Sequence, residues 1–219
     1  MIASFPAARA TVYGVLLNDR STLQRLMPQF DSAPYKAAPR APVLYIKPRN
    51  TFAGNHAAVT IPADPGEVRI DATIGLVIGS TATRVPASKA MEHVAGFVVV
   101  SDVTLPHENY YRPAIRQRDR DGFCPMGEVV AAHYFDLNQA TLHIEINGKP
   151  VYERRLDQLV RPAAQLIADV TEFMTLSVGD VLLLGAGEGS PVARPGDAVR
   201  ITVPGLGTLN HTVALETQP

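Results

Sequence analysis

Arg112, Arg116, Arg118 and Arg120 crowd into one short stretch beside Tyr110, Tyr111 and Asp119, directly before DGFCPMGE at 121–128. A guanidinium presents a planar fork that matches a carboxylate bidentately, so this pattern suits a small polyanion. The same composition also describes a solvated, charge-mixed surface loop. Lys47 and Arg49, in IKPRNT at 46–51, form a second candidate anion site at the end of a strand, with strand-end solubility as the plainer alternative. Of the six histidines, no two have the i, i+4 spacing of a helical metal pair, so most are expected to be structural. Cys124 has neither a neighbouring histidine nor a CxxC partner, and reads as a packing thiol. Neither GxGxxG nor GxxxxGK[ST] occurs, which removes support for a nucleotide-phosphate cradle.

These side chains need a scaffold, and the sequence points to a β-rich one. Short apolar, β-branched runs separated by turn residues are predicted strands: 10–17, 43–46, 57–62, 71–79, 95–104, 128–135, 140–148, 180–185, 198–209 and 211–216. Helical spacing is confined to Ser21–Met27, Pro86–Val94 and Leu156–Phe173, with Asn18, Asp19 or Ser21 capping the first. Strands outnumber helices without alternating with them, so the expected fold is mostly β with minor α, antiparallel or mixed. The 16 glycines and 18 prolines imply many turns, Asn147-Gly148 being a hairpin turn by its chemistry. PYKAAPRAP at 34–42 suggests residues 1–40 as a strand/helix extension packed on a core of 41–219.

A chain of 219 residues with 46% hydrophobic and 19% charged residues can bury a real core and is not of disordered composition. The net charge of −1 gives no field that would draw nucleic acid or an anionic membrane, so an anionic ligand needs a local basic site. No apolar run approaches the ~18 residues of a spanning helix. MIASFPAARA lacks the basic and apolar regions of a leader, and one cysteine fits a reducing compartment. The cytoplasm is the expected location.

Several runs, in order, resemble the fumarylacetoacetate hydrolase family: IKPRNT (46–51), DATIGLVIG (71–79), VAGFVVVSDVT (94–104), DGFCPMGE (121–128), ING (146–148), SVGDVLLLGAG (177–187) and RPGDAVRITVPGLGTLNHTV (194–213). KPRNT, YYRPAIR and RDGFCP resemble the N-terminal half, or separate N-terminal subunit, of the branch that serves 4-hydroxyphenylacetate (homoprotocatechuate) catabolism. The resemblance implies a β-roll, a mixed β-sandwich, and chemistry assisted by Mg2+ or Mn2+ on unsaturated 2-oxo or 2-hydroxy acids.

The family's metal ligands are an E-x-E pair on a strand and a later aspartate in an NDV-type segment. The matching positions are Asp71, Thr73 and Asp102. Period two sends Asp71 and Thr73 to one face, but a neutral hydroxyl replaces the middle carboxylate, so metal affinity is expected to be weak or absent unless Glu67, Glu108 or Asp121 compensates. On the bland reading Asp71 is a strand-edge carboxylate and Asp102 a turn residue. Thr22 and Arg25 stand where relatives carry a histidine and a glutamate on a lid helix. Leu184-Gly185-Ala186-Gly187 replaces a T-G-T-P segment. Arg118 matches a family lysine; it keeps the charge but gives no proton near neutral pH. Arg118 and His107 are the implied catalytic candidates; Lys47, Arg49, Arg112 and Arg116 are the substrate-binding candidates.

The implied function is a subunit of an isomerase/decarboxylase that decarboxylates 5-oxopent-3-ene-1,2,5-tricarboxylate and isomerises 2-hydroxyhepta-2,4-diene-1,7-dioate. Its implied partners are a small polycarboxylate substrate and either a second copy or a homologous subunit, with no nucleic acid and no membrane. The alternatives are a non-catalytic homologous subunit supporting a metal-competent chain and, more weakly, an acylpyruvate-type hydrolase.

Overall fold

The computed structural model describes residues 10–107 and 110–217; the leader reading of the first nine residues and the compensating role considered for Glu108 lie outside them. Two mixed sheets carry the chain. The larger runs β2 (Val43–Lys47), β1 (Val12–Leu16), β10 (Val181–Leu183), β5 (Val68–Ile78), β6 (Val94–Thr104), β7 (Cys124–Ala131), β3 (Phe52–Ala53), with β11 (Val192–Ala193) paired to the start of β5. The smaller runs β4 (Ala57–Ile61), β13 (Gly207–Leu215), β12 (Ala198–Val203), β8 (Thr141–Ile146), β9 (Lys149–Arg155). The end strands of the larger sheet, β2 and β3, are consecutive in the chain and joined only by the short turn through Arg49–Thr51, so the sheet must roll until its ends meet.

Alternation along β5 and β6 then sorts two interiors. Ile70, Ala72, Ile74 and Leu76, with Phe97, Val99 and Val103, belong to the main core shared with Leu142, Ile144, Ile201 and Leu209 of the smaller sheet. The opposite face holds a smaller cluster of Val77, Val98, Val100, Cys124, Met126 and Val181, and the polar residues Asp71, Thr73 and Asp102 belong to that inner face. Cys124 is fully buried there, and burial pushes its thiol up to about 12, as expected of a packing residue.

Several expected elements shift at their edges. Residues 10–40, anticipated as an extension, place β1 inside the larger sheet, paired to β2 on one side and β10 on the other. Helix α1 (Arg20–Phe30) is capped by Asp19, whose Oδ1 accepts from Thr22 N. The helix expected over 156–173 survives only as α4 (Ala163–Thr171), because Pro162 has no N–H to continue a helix from behind and so serves as its N-cap. The Pro86–Val94 helix shortens to α2 (Ala87–Ala90) followed by a 3-10 turn. The strand expected at 128–135 begins earlier, at Cys124, and stops at Ala131. Residues 198–209 divide into β12 and β13 at Gly205, which needs a left-handed φ of 80°. The edge strand β9 escapes the alternation rule because KPVYERR is polar on both faces. The hairpin joining it to β8 turns at Asn147 and Gly148, both at positive φ.

One glycine is tied directly to the polar face. Gly14 on β1 sits opposite Tyr45 on β2, and a Cβ at Gly14 would fall 1.9 Å from Tyr45 Cζ. Tyr45 lies flat on that gap. Gly14→Ala is therefore expected to cost about 1–3 kcal/mol by overpacking. In a double-mutant cycle with Tyr45→Ala, chemical denaturation should show the pair losing clearly less than the sum of the single losses.

Candidate active site

In a flat sheet β2 would lie roughly 19 Å from β6, four strands away. Rolling brings Tyr45 and Lys47 of β2 onto Asp102 of β6 instead. Asp71 and Asp102 are direct cross-strand partners, and like charges so placed repel unless cations intervene. Three cations do. Arg118, from the short helix α3 (Ile115–Arg118), bridges both carboxylates: Nη1 donates to Asp102 Oδ2 at 2.7 Å and Nη2 to Asp71 Oδ2 at 3.3 Å. Lys47 Nζ is 3.1 Å from Asp102 Oδ1 and also donates to the Arg118 carbonyl. Arg69 Nη2 donates to Asp71 at 3.2 Å. Lys47, Asp71, Asp102 and Arg118 are all buried.

The electrostatics follow from this packing. Burial alone would raise the Asp102 carboxyl pKa, but Lys47, then Arg118, then a hydrogen bond from Tyr45 outweigh it and hold the group below the usual carboxylate range. The Tyr45 hydroxyl donates to Asp102 Oδ2, and burial, reinforced by the Asp102 charge, keeps it protonated far above its ordinary range. Burial would lower the Arg118 pKa, but Asp102 and then Tyr45 and Asp71 raise it. The guanidinium carbon also lies 4.7 Å from the centre of the Tyr45 ring.

A cavity of about 170 Å³ opens over this cluster, lined by Tyr45, Arg69, Asp71, Asp102, Tyr110 and Arg118 on one side and by Thr22, Arg25 and 186–190 on the other. At its rim Arg25 Nε pairs with Glu188 at 2.8 Å, and Thr22 Oγ1 bonds to Asp19. Thr73 donates its hydroxyl proton to the Gly185 carbonyl at 2.9 Å, and Arg154 Nη1 reaches the same oxygen at 2.8 Å while its Nη2 pairs with Asp19. The lid-helix cap, the 184–187 turn and the inner face of β5 are thus one connected network.

Other candidates go elsewhere. Arg49, Arg112 and Arg116 are exposed. Arg112 and His107 line an adjoining, more apolar groove of about 440 Å³ with Leu44, Ile46, Tyr111 and Ile115, where the His107 ring meets that of Tyr110 at 5.8 Å. Glu67 pairs with Arg194 at 2.7 Å, and Asp121 accepts from Asn50 at 2.8 Å, so neither is turned to the metal positions. Tyr45 and Arg69 went unremarked in the sequence. The signal was present, since Tyr45 shares a face with Lys47, and Arg69 with Asp71, by the same period of two.

The donor set does not fit a divalent cation. Arg118 spans the interval between the carboxylates, three cations already face two anions, and among the described residues no group of three or more His, Cys, Asp or Glu is arranged to hold a metal. An entering ion would have to displace the guanidinium. Both carboxylates at which the sequence implies weak or absent metal affinity are thus engaged in ion pairs.

The chain is similar to known proteins in sequence and in fold. The chain is 42% identical over 209 residues to the 4-hydroxyphenylacetate degradation bifunctional isomerase/decarboxylase of Escherichia coli, covering 95% of this chain and 48% of that protein. It spans about half the length of this and two further curated relatives that it matches at 40–41% identity. The crystal structure of 5-carboxymethyl-2-hydroxymuconate delta-isomerase from Mycobacterium smegmatis superposes with a TM-score of 0.80 at 29% identity, covering 95% of this chain and 80% of that one. Fumarylpyruvate hydrolase from Pseudomonas aeruginosa, solved with Mn2+ and pyruvate, shares the fold at a TM-score of 0.80 and 22% identity, over 94% and 90% of the two chains. The model of the fumarylacetoacetate (FAA) hydrolase C-terminal domain matches residues 11–214, and the chain belongs to that family.

Proposed function

We propose that this chain is one half of a two-part cytoplasmic isomerase/decarboxylase of 4-hydroxyphenylacetate catabolism. It binds a polycarboxylate such as 5-oxopent-3-ene-1,2,5-tricarboxylate or 2-hydroxyhepta-2,4-diene-1,7-dioate while a homologous, metal-competent half completes the chemistry. The observation that carries this reading is the Arg118 bridge between Asp71 and Asp102, at the bottom of a cavity where Lys47, Arg69 and Arg118 together face the two carboxylates.

The residues on hand bind and orient well and move protons poorly. Arg69 and Arg118 can fork onto carboxylate oxygens. Neither releases a proton near neutral pH, and Tyr45 is committed to Asp102. Loss of CO2 from an oxo diacid needs an electron sink for the developing enolate. This cavity supplies positive charge for that purpose but no mobile acid. A hydrolase reading is disfavoured: Thr22 and Arg25 occupy the lid positions, tied to Asp19 and Glu188, and neither can serve as a base for water.

Decarboxylation of the tricarboxylate is expected from a mixture of this chain with a homologous metal-competent half, and not from this chain alone with or without Mg2+. Full Mg2+-dependent turnover by the isolated chain would overturn the division of labour.

A further inference from the structure

The cavity keeps two donors in reserve. Arg69 and Arg118 both line it, and the Nε–H of each is buried with no hydrogen-bond partner among the described residues. Leaving a buried charged donor unmade is costly, and the molecule tolerates this at two neighbouring guanidinium groups. Arg118 spends one N–H of Nη1 on Asp102 and one of Nη2 on Asp71, so its second Nη hydrogens and Nε–H are left over. Asp102 Oδ1 is engaged by Lys47 alone, at 3.1 Å, and its second lone pair could accept from a ligand hydroxyl. Positive donors beside a spare acceptor match the carboxylate and the enol or hydroxyl of one small molecule.

We propose that Arg118 is a built-in cation in the position a divalent metal would take between Asp71 and Asp102, and that the cavity binds small dicarboxylates without any metal, through the guanidinium N–H groups of Arg118 and Arg69 that Asp71 and Asp102 leave unpaired. This rests on reading the cavity as the substrate site, and gives that site a metal-independent mode of recognition. The balance of charge explains why the two features occur together. A third carboxylate at position 73 would leave three anions to attract a cation, whereas Thr73 turns its hydroxyl to Gly185 and leaves the guanidinium sufficient to neutralise the pair with Lys47 and Arg69. The metal preference of the pocket is thereby set by residues 73 and 118 together.

Calorimetry with oxalate as probe tests this on the intact chain. Oxalate should bind the wild type with the same affinity in EDTA and in Mg2+, and Mn2+ alone should give no bound signal by electron paramagnetic resonance. Arg118→Lys keeps the charge but loses the Nε–H and the fork, so oxalate should bind roughly tenfold more weakly, still without Mn2+ uptake. The double variant Thr73→Glu with Arg118→Ala should take up Mn2+ and then bind oxalate only when metal is present. Oxalate binding that requires Mg2+ in the wild type, Mn2+ uptake by the wild type, or no oxalate binding under any condition would each overturn the proposal. If the double variant does not fold, the wild-type and Arg118→Lys arms decide alone. Metal-free oxalate binding together with an inactive mixture of halves would instead reject the assigned reaction and leave this site standing.

Discussion

Replacing Arg118 with alanine is expected to cost about 3–5 kcal/mol of folding stability, the range found when one partner of a buried charge cluster is removed. The figure is large because of what stays behind. Asp71 and Asp102 face each other across β5 and β6, nearly fully buried, and among the described residues the guanidinium is the one group that hydrogen-bonds to both. Without it, Lys47 still neutralises Asp102 and Arg69 still reaches Asp71, but the repulsion between the carboxylates is no longer bridged. Arg118→Lys should lose less, since it retains charge near Asp102 without the second arm to Asp71. The pH dependence carries the sign. Asp102 titrates below the usual carboxylate range in the native fold, so its contribution is present above the ordinary value of 3.8 and is lost as pH falls through the lowered native value. Lys47 is the larger cause of that depression and Arg118 the next, so removing Arg118 weakens it and the urea midpoints of wild type and alanine variant should draw together in acid. A gap that stays constant from neutral pH into the acid range would show that the loss comes from packing and not from charge.

The polar cluster and the fold were legible to different degrees for physical reasons. Period-two alternation decides which face a residue takes, so Asp71, Thr73 and Asp102 could be grouped from spacing and resemblance. The strand-rich architecture followed from β-branched runs and turn chemistry, and most strands differ from expectation only at their ends. Closure of the larger sheet was not legible. It depends on β2 and β3 pairing at opposite ends of one sheet, a long-range fact that no local pattern encodes, and it alone brings Tyr45 and Lys47 over β6. Arg118 shows the same limit from another side. Within the run of arginines around it nothing distinguishes it by type, yet Arg112 and Arg116 are exposed while Arg118 is buried between two carboxylates. Composition marked the segment; the α3 turn selected the residue.

A second pH effect arises on the opposite side of the same strand. Ser101 precedes Asp102 and so faces the main core, where its hydroxyl meets Nε2 of His211 on β13 at 3.0 Å. The imidazole is 2% exposed, and its Nδ1 has no hydrogen-bond partner among the described residues. Burial lowers its pKa to about 4, outweighing the raising influence of the neighbouring Thr212 backbone. In the unfolded chain the same group takes up a proton near its ordinary value of 6.5. Stability from this residue is therefore fully present above pH 6.5, falls as pH drops through the interval, and levels off below about 4. The integrated loss is about 3 kcal/mol by the equivalence of pKa shift and free energy. The double variant Ser101→Ala with His211→Leu removes the titrating group and its side-chain partner together, so that neither is left behind without the other. Denaturant titrations at pH 7 and pH 4.5 should show the wild type losing markedly more stability than this variant, the other histidines and the Asp102 cluster contributing equally to both. Equal losses in the two proteins would mean that His211 is reached by water or a counter-charge in the native state and carries no acid sensitivity of its own.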